Sequence, residues 1–68
     1  MNAMIVVNGT SEPLAAATVT ELLREKDIAG RRGVAVAVNG SVVARRAWAE
    51  TRLKPGDKVE IVHARQGG

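Results

Sequence analysis

Gly33-Val34-Ala35-Val36-Ala37-Val38-Asn39-Gly40 decides how the chain is read. Five residues alternate strictly between valine and alanine, which is the period of a strand. Asn-Gly closes the run with a dipeptide suited to the positive φ angles of a tight hairpin. Both faces of this strand are apolar, which is unusual. The three valines are bulky and β-branched and should pack beneath a helix. Ala35 and Ala37 form a small, flat surface that a partner could approach closely.

The covering helix lies just upstream. Thr18-Val19-Thr20-Glu21 fits a capping box, with the Thr18 hydroxyl facing the Glu21 amide and the Glu21 carboxylate reaching back. Val19, Leu22 and Leu23 follow at helical spacing, with Lys26 next in register and Ile28 flanking it. Gly30 supplies the stop, so a helix of about three turns is expected. Further upstream, the apolar run Met4 to Val7 ends in Asn8-Gly9, a second hairpin signal. Its partner is the weaker stretch Glu12 to Ala16, where Pro13 argues for a sheet edge. Residues 1–3 precede the pattern, and Met4 is an alternative start.

Downstream, Ser41-Val42-Val43-Ala44 reads as the returning strand. Arg45 to Thr51 has no period of two, and its Trp48 is expected to fold back over an edge of the core. Lys54-Pro55-Gly56-Asp57 has the proline and glycine positions of a type II turn. In the last strand, Lys58 to His63, Val59 and Ile61 share one face while Glu60 and Val62 share the other. The order of hairpin, helix and further short strands gives an α+β domain with one helix across a mixed sheet. Residues 4–64 form that domain, and 65–68 are expected to be a flexible C-terminal tail.

Composition narrows the function. At 68 residues there is room for one domain with a small aliphatic core, and Trp48 is the sole aromatic residue. With no cysteine, disulfides, zinc-thiolate sites and cysteine nucleophiles are excluded, and a reducing compartment fits. No apolar run is long enough to span a bilayer and no secretory pattern opens the chain, so a cytoplasmic protein is the expectation. The net charge of +3 is scattered among acidic residues, and base-stacking aromatics are nearly absent. That argues against nucleic-acid binding. His63 stands alone, the carboxylates form no recognisable pair, and metal-ligand spacing and a GxxxxGK loop are both lacking. No residue is a candidate for catalysis.

What remains is Arg65-Gln66-Gly67-Gly68. Without side chains, Gly67 and Gly68 can lie extended in a narrow slot and present a carboxylate there. Four residues beyond Ala64 reach at most about 13–14 Å. A carboxylate is a poor electrophile, because its charge repels nucleophiles and oxide leaves badly. Activation by attack on the α-phosphate of ATP gives an acyl-adenylate, from which a sulfur nucleophile can displace AMP. The chain supplies neither an ATP site nor a sulfur nucleophile. It would be the substrate of an activating enzyme.

The whole pattern resembles a known family. Val7-Asn8-Gly9, Leu22-Leu23, Val34 to Gly40, Val43, Arg45, Trp48, Thr51 to Leu53, Gly56 to Val62 and Gly67-Gly68 look like the sulfur carrier proteins of thiamine biosynthesis. Family members often carry proline at the position of Ala44 and a larger residue at that of Ala37. The resemblance implies a ubiquitin-like β-grasp fold, a mixed β-sheet of four to five short strands packed on one main α-helix. It implies Gly68 as the adenylated and then thiocarboxylated residue, with Gly67 presenting it. It implies as partners an E1-like ThiF-type adenylyltransferase that uses ATP, a sulfur donor system and a ThiG-type thiazole synthase, with no cofactor bound by this chain. Arg45, Arg65, Ala35 and Ala37 are the candidate docking residues. The alternatives are a related carrier serving molybdopterin or another acceptor, and a β-grasp interaction module without tail chemistry.

Overall fold

Two Asn-Gly pairs build the outer hairpins of the sheet. In the structure, a computed structural model that describes residues 3–63, strand β1 (Met4–Val7) turns into β2 (Thr10–Pro13), and β3 (Val34–Val38) turns into β4 (Ser41–Val43). Asn8 and Gly9 have φ of 50° and 83°, and Asn39 and Gly40 have φ of 51° and 86°. These angles suit a type I′ turn, which matches the twist of the flanking strands. Val7 therefore pairs with Thr10, and Val38 with Ser41.

This tight register corrects the position expected for β2. Pairing begins at Thr10 rather than Glu12 and ends where Pro13 meets Met4, the first residue of β1. The residues after Pro13 have left the strand, and Ala16 enters the core. Pro13 does lie on an edge strand, as its missing N–H requires.

The last strand, β5 (Lys58–His63), takes the centre of the sheet, in the order β2-β1-β5-β3-β4. It runs parallel to β1 and antiparallel to β3. Gly56, at φ 87°, turns the chain into β5, and Asp57 donates its N–H to the Lys54 carbonyl at 3.1 Å. That is the type II turn read from the sequence. A five-stranded mixed sheet backed by one helix is the expected β-grasp arrangement.

Helix α1 (Val19–Glu25) starts as foreseen and stops early. The Glu21 N–H donates to the Thr18 hydroxyl at 3.2 Å, while the Glu21 carboxylate reaches back one residue further, to the Ala17 N–H at 3.1 Å. Seven residues make about two turns, not three. The stop is Asp27, at φ 61°, and not Gly30. Asp27 donates to the Arg24 carbonyl and Ile28 to that of Leu23, the paired bonds of a Schellman motif. Ile28 then packs on the core. Lys26, in register with the apolar face, reaches across to Glu12 on β2 at 3.0 Å, tying the helix end to the sheet edge.

Asp27 is an unfavourable stop on two counts. An L-residue is strained in the left-handed region, and a negative charge opposes the helix dipole at its C-terminus. Asp27→Gly removes both and adds some unfolded-state entropy. Thermal unfolding should show a net gain of about 0.5–1 kcal/mol, roughly 3–6 °C in Tm. A lower Tm would mean the Asp27 side chain contributes something the geometry does not reveal.

The core fills the space between α1 and one sheet face. Ile5, Val19, Leu22, Leu23, Val36 and Val59 are its fully buried members. Each is worth about 1.5–3 kcal/mol of transfer free energy. The valine face of β3 does point to the helix. Trp48 closes one end of the core from a 3₁₀ helix (Arg45–Glu50), and its indole N–H donates to the Val43 carbonyl at 3.0 Å. That meets the expectation for Trp48 and adds a helical turn that the sequence pattern did not disclose.

Candidate functional site

With the valines turned inward, Ala35 and Ala37 face out on the side of the sheet away from α1. Register determines their neighbours. Ala37 lies between Val42 on β4 and Glu60 on β5, while Ala35 lies beside Val62. Val42 is 82% exposed and Val62 60% exposed, which is high for valine. Ala35, Ala37, Val42, Glu60 and Val62 line a shallow depression of about 140 Å³. The alanines form its floor and the valines its rim.

The structure thus unites the two alanines expected to meet a partner and adds two valines that sequence reasoning had not singled out. A signal existed for Val42. A two-residue Asn39-Gly40 turn pairs 38 with 41, and hence 37 with 42. For Val62 no local signal existed, because its place beside Ala35 depends on β5 pairing with β3. Val62 stands six positions before Gly68 (68 − 62 = 6), so the apolar face adjoins the strand that leads toward Gly67-Gly68. Arg65, Gly67 and Gly68 lie outside the described residues.

Arg45 is exposed but engaged within the fold. Its guanidinium sits 4.5 Å from the centre of the Trp48 ring, a cation–π contact. It also donates to the carbonyls of Arg31 at 2.9 Å and Ala29 at 3.4 Å. It therefore braces the loop between α1 and β3 against the 3₁₀ helix. Among the described residues, no three His, Cys, Asp or Glu side chains lie close enough to share a metal ion. No helix there is long and apolar enough to cross a membrane.

Another pair of residues gains a role that local reasoning missed. The Asn8 and Asn39 side chains, read from sequence only as turn formers, both bond to the β5 region. Ile61 donates its N–H to Asn8 Oδ1 at 2.8 Å, and Lys58 donates its N–H to Asn39 Oδ1 at 2.9 Å.

A helix-backed mixed sheet with a parallel β1–β5 pair at its centre and an exposed apolar face defines the class: a ubiquitin-like β-grasp protein. Comparison with known proteins narrows that class. The ThiS family model matches residues 4–68, and the chain belongs to the ThiS family. It is 37% identical to the thiamine biosynthesis protein ThiS from Geobacter metallireducens, whose crystal structure superposes with a TM-score of 0.78 over 96% of this chain and 99% of that one. A solution structure of a thiamine biosynthesis protein from the same organism is 38% identical, with a TM-score of 0.76 over 100% of this chain and 88% of that one. No curated protein matches the chain. Family membership gives the role at its coarse level, a small sulfur carrier of thiamine synthesis rather than a catalyst.

Proposed function

We propose that this chain carries sulfur as a thiocarboxylate on Gly68. An E1-like ThiF-type adenylyltransferase binds ATP, and the Gly68 carboxylate oxygen attacks the α-phosphorus. Pyrophosphate leaves and an acyl-adenylate remains. The terminal sulfur of a persulfide donor then attacks the acyl carbon and AMP departs, leaving an acyl disulfide. A thiol outside this chain cleaves its S–S bond, forming a disulfide with the donor's sulfur and leaving the thiocarboxylate on Gly68. A ThiG-type thiazole synthase takes that sulfur into the thiazole ring of thiamine. The steps belong to the cytoplasm, where ATP is available, and this chain binds no cofactor of its own.

Each residue has one task in this reading. Gly68 bears the sulfur and Gly67 clears the approach to it. Ala35 and Ala37, with Val42 and Val62 at their rim, dock the partner enzymes. Arg65 and Arg45 meet acidic partner surfaces, Arg45 from a guanidinium already braced on Trp48. The supporting observation is that the family match runs from residue 4 to residue 68, so it takes in both the folded body and Gly67-Gly68.

Intact mass tests it. After co-expression with the native activating enzyme and a sulfur source, the chain should gain about 16 Da as sulfur replaces oxygen. A chain lacking Gly68 should gain nothing while keeping its circular dichroism spectrum, because the core lies between Ile5 and Val59. An unmodified wild-type chain, under conditions that modify a proven carrier, would defeat the reading.

A further inference from the structure

β5 is the centre strand, but its two neighbours do not accompany it equally far. β3 pairs with it from Val38↔Val59 to Val34↔His63. β1 pairs with it only at Val6↔Lys58 and Val7↔Val59 before turning away. On the β1 side, the backbone of Ile61 therefore has no strand beside it. Asn8 supplies what β1 no longer can. Its Nδ2 donates to the Ile61 carbonyl at 3.2 Å, and its Oδ1 accepts the Ile61 N–H at 2.8 Å. A side-chain amide offers one acceptor and a donor side by side, as a peptide group does. The Asn8 side chain thus extends the parallel ladder by one residue.

We propose that Asn8 is a positioning residue for acyl transfer, fixing the direction in which β5 leaves the sheet toward Gly68. This rests on the carrier reading above. Ile61 stands seven positions before Gly68 (68 − 61 = 7). Pairing with β3 holds the other edge of β5 as far as His63, so with Asn8 on the β1 side the strand is fixed along both edges close to where it runs on toward Gly68. An error of about 1 Å in the placement of a reacting group can cost about 100-fold in rate. Docking through the apolar face sets how tightly the carrier binds. The Asn8 clamp sets how often its carboxylate arrives aligned.

The test uses the full chain and two matched variants. Asn8→Gly keeps a residue at ease with positive φ and removes the clamp on Ile61. Asn39→Gly does the same at the other hairpin and removes a clamp at Lys58, which lies at the start of β5. Both should lower Tm by a comparable few degrees. In Asn8→Gly, hydrogen exchange at the Ile61 amide should quicken by roughly tenfold. With the activating enzyme, Asn8→Gly should lose about tenfold in kcat at an unchanged KM, and Asn39→Gly should keep its kcat. Unchanged exchange at Ile61 overturns the clamp. Faster exchange with an unchanged kcat, or equal kcat losses in both variants, reduces Asn8 to a structural residue and overturns the positioning role. A wild-type chain that is never modified overturns the carrier reading and this proposal with it, while the exchange rates still report on the clamp.

Discussion

Trp48→Ala is expected to leave most of the chain unfolded at room temperature. A 68-residue domain has a stability of about 3–10 kcal/mol in total. Truncating a buried tryptophan costs about 3–5 kcal/mol, from about a third of that to all of it, before the lost support of Arg45 is added. Three losses coincide at this position. The indole is 4% exposed and closes one end of the core. Its N–H satisfies the Val43 carbonyl at 3.0 Å, and its ring supports Arg45, which in turn holds the loop carbonyls of Ala29 and Arg31. Trp48→Phe separates these contributions, since it keeps a ring in the core and loses the hydrogen bond. That variant should fold and lose only about 1–2 kcal/mol. Far-ultraviolet circular dichroism on heating is the measurement to use, because Trp48 is the only intrinsic tryptophan reporter. If Trp48→Ala melted within a few degrees of wild type, the account of the core given above would be wrong.

What was legible in the sequence was what neighbouring residues decide among themselves. The two Asn-Gly turns, the Pro55-Gly56 turn, the Thr18 cap and the valine–alanine alternation each depend on a few adjacent residues, and each stands where it was read. The helix end did not, because a glycine stop at Gly30 is the commoner solution and Asp27 in the left-handed region is a strained one. Its tolerance comes from Ile28 reaching the core, which no local pattern reveals. Lys26 stands in register with the apolar stripe, and its partner Glu12, 14 positions away, lies beyond the reach of any local pattern. The Asn8 clamp is the extreme case. Its partner, Ile61, is 53 positions distant, and the contact exists only because β1 and β5 lie side by side. The apolar face was half legible for the same reason: the alanines came from alternation within one strand, whereas the valines came from pairing between strands.

Ala35→Arg should have the largest effect on function among substitutions that leave the fold intact. Ala35 is exposed at the floor of the outer face, so a long side chain there points to solvent and displaces nothing in the core. The protein should keep its spectrum and its Tm. Once the face is pressed against a partner, however, the guanidinium is held in a mostly apolar contact in which Glu60, diagonal to position 35, is the one carboxylate among the residues lining the depression. Such a group costs about 2–5 kcal/mol, and each 1.4 kcal/mol is a factor of ten in affinity. The KM for the carrier in a pyrophosphate-release assay should therefore rise by about thirtyfold or more, with kcat recoverable at high carrier concentration. Ala49→Arg is the matched control. It adds the same charge at an exposed alanine of the 3₁₀ helix, which packs on α1 on the far side of the sheet. If both variants weakened binding equally, the added charge and not the outer face would be responsible. If neither did, docking would have to use another surface, and Arg45 on the 3₁₀ helix would be the next place to look. The expected asymmetry follows from the alternation in β3. Three valines commit one face to the helix, and the two alanines left behind keep the other face flat enough for a second protein to lie against it.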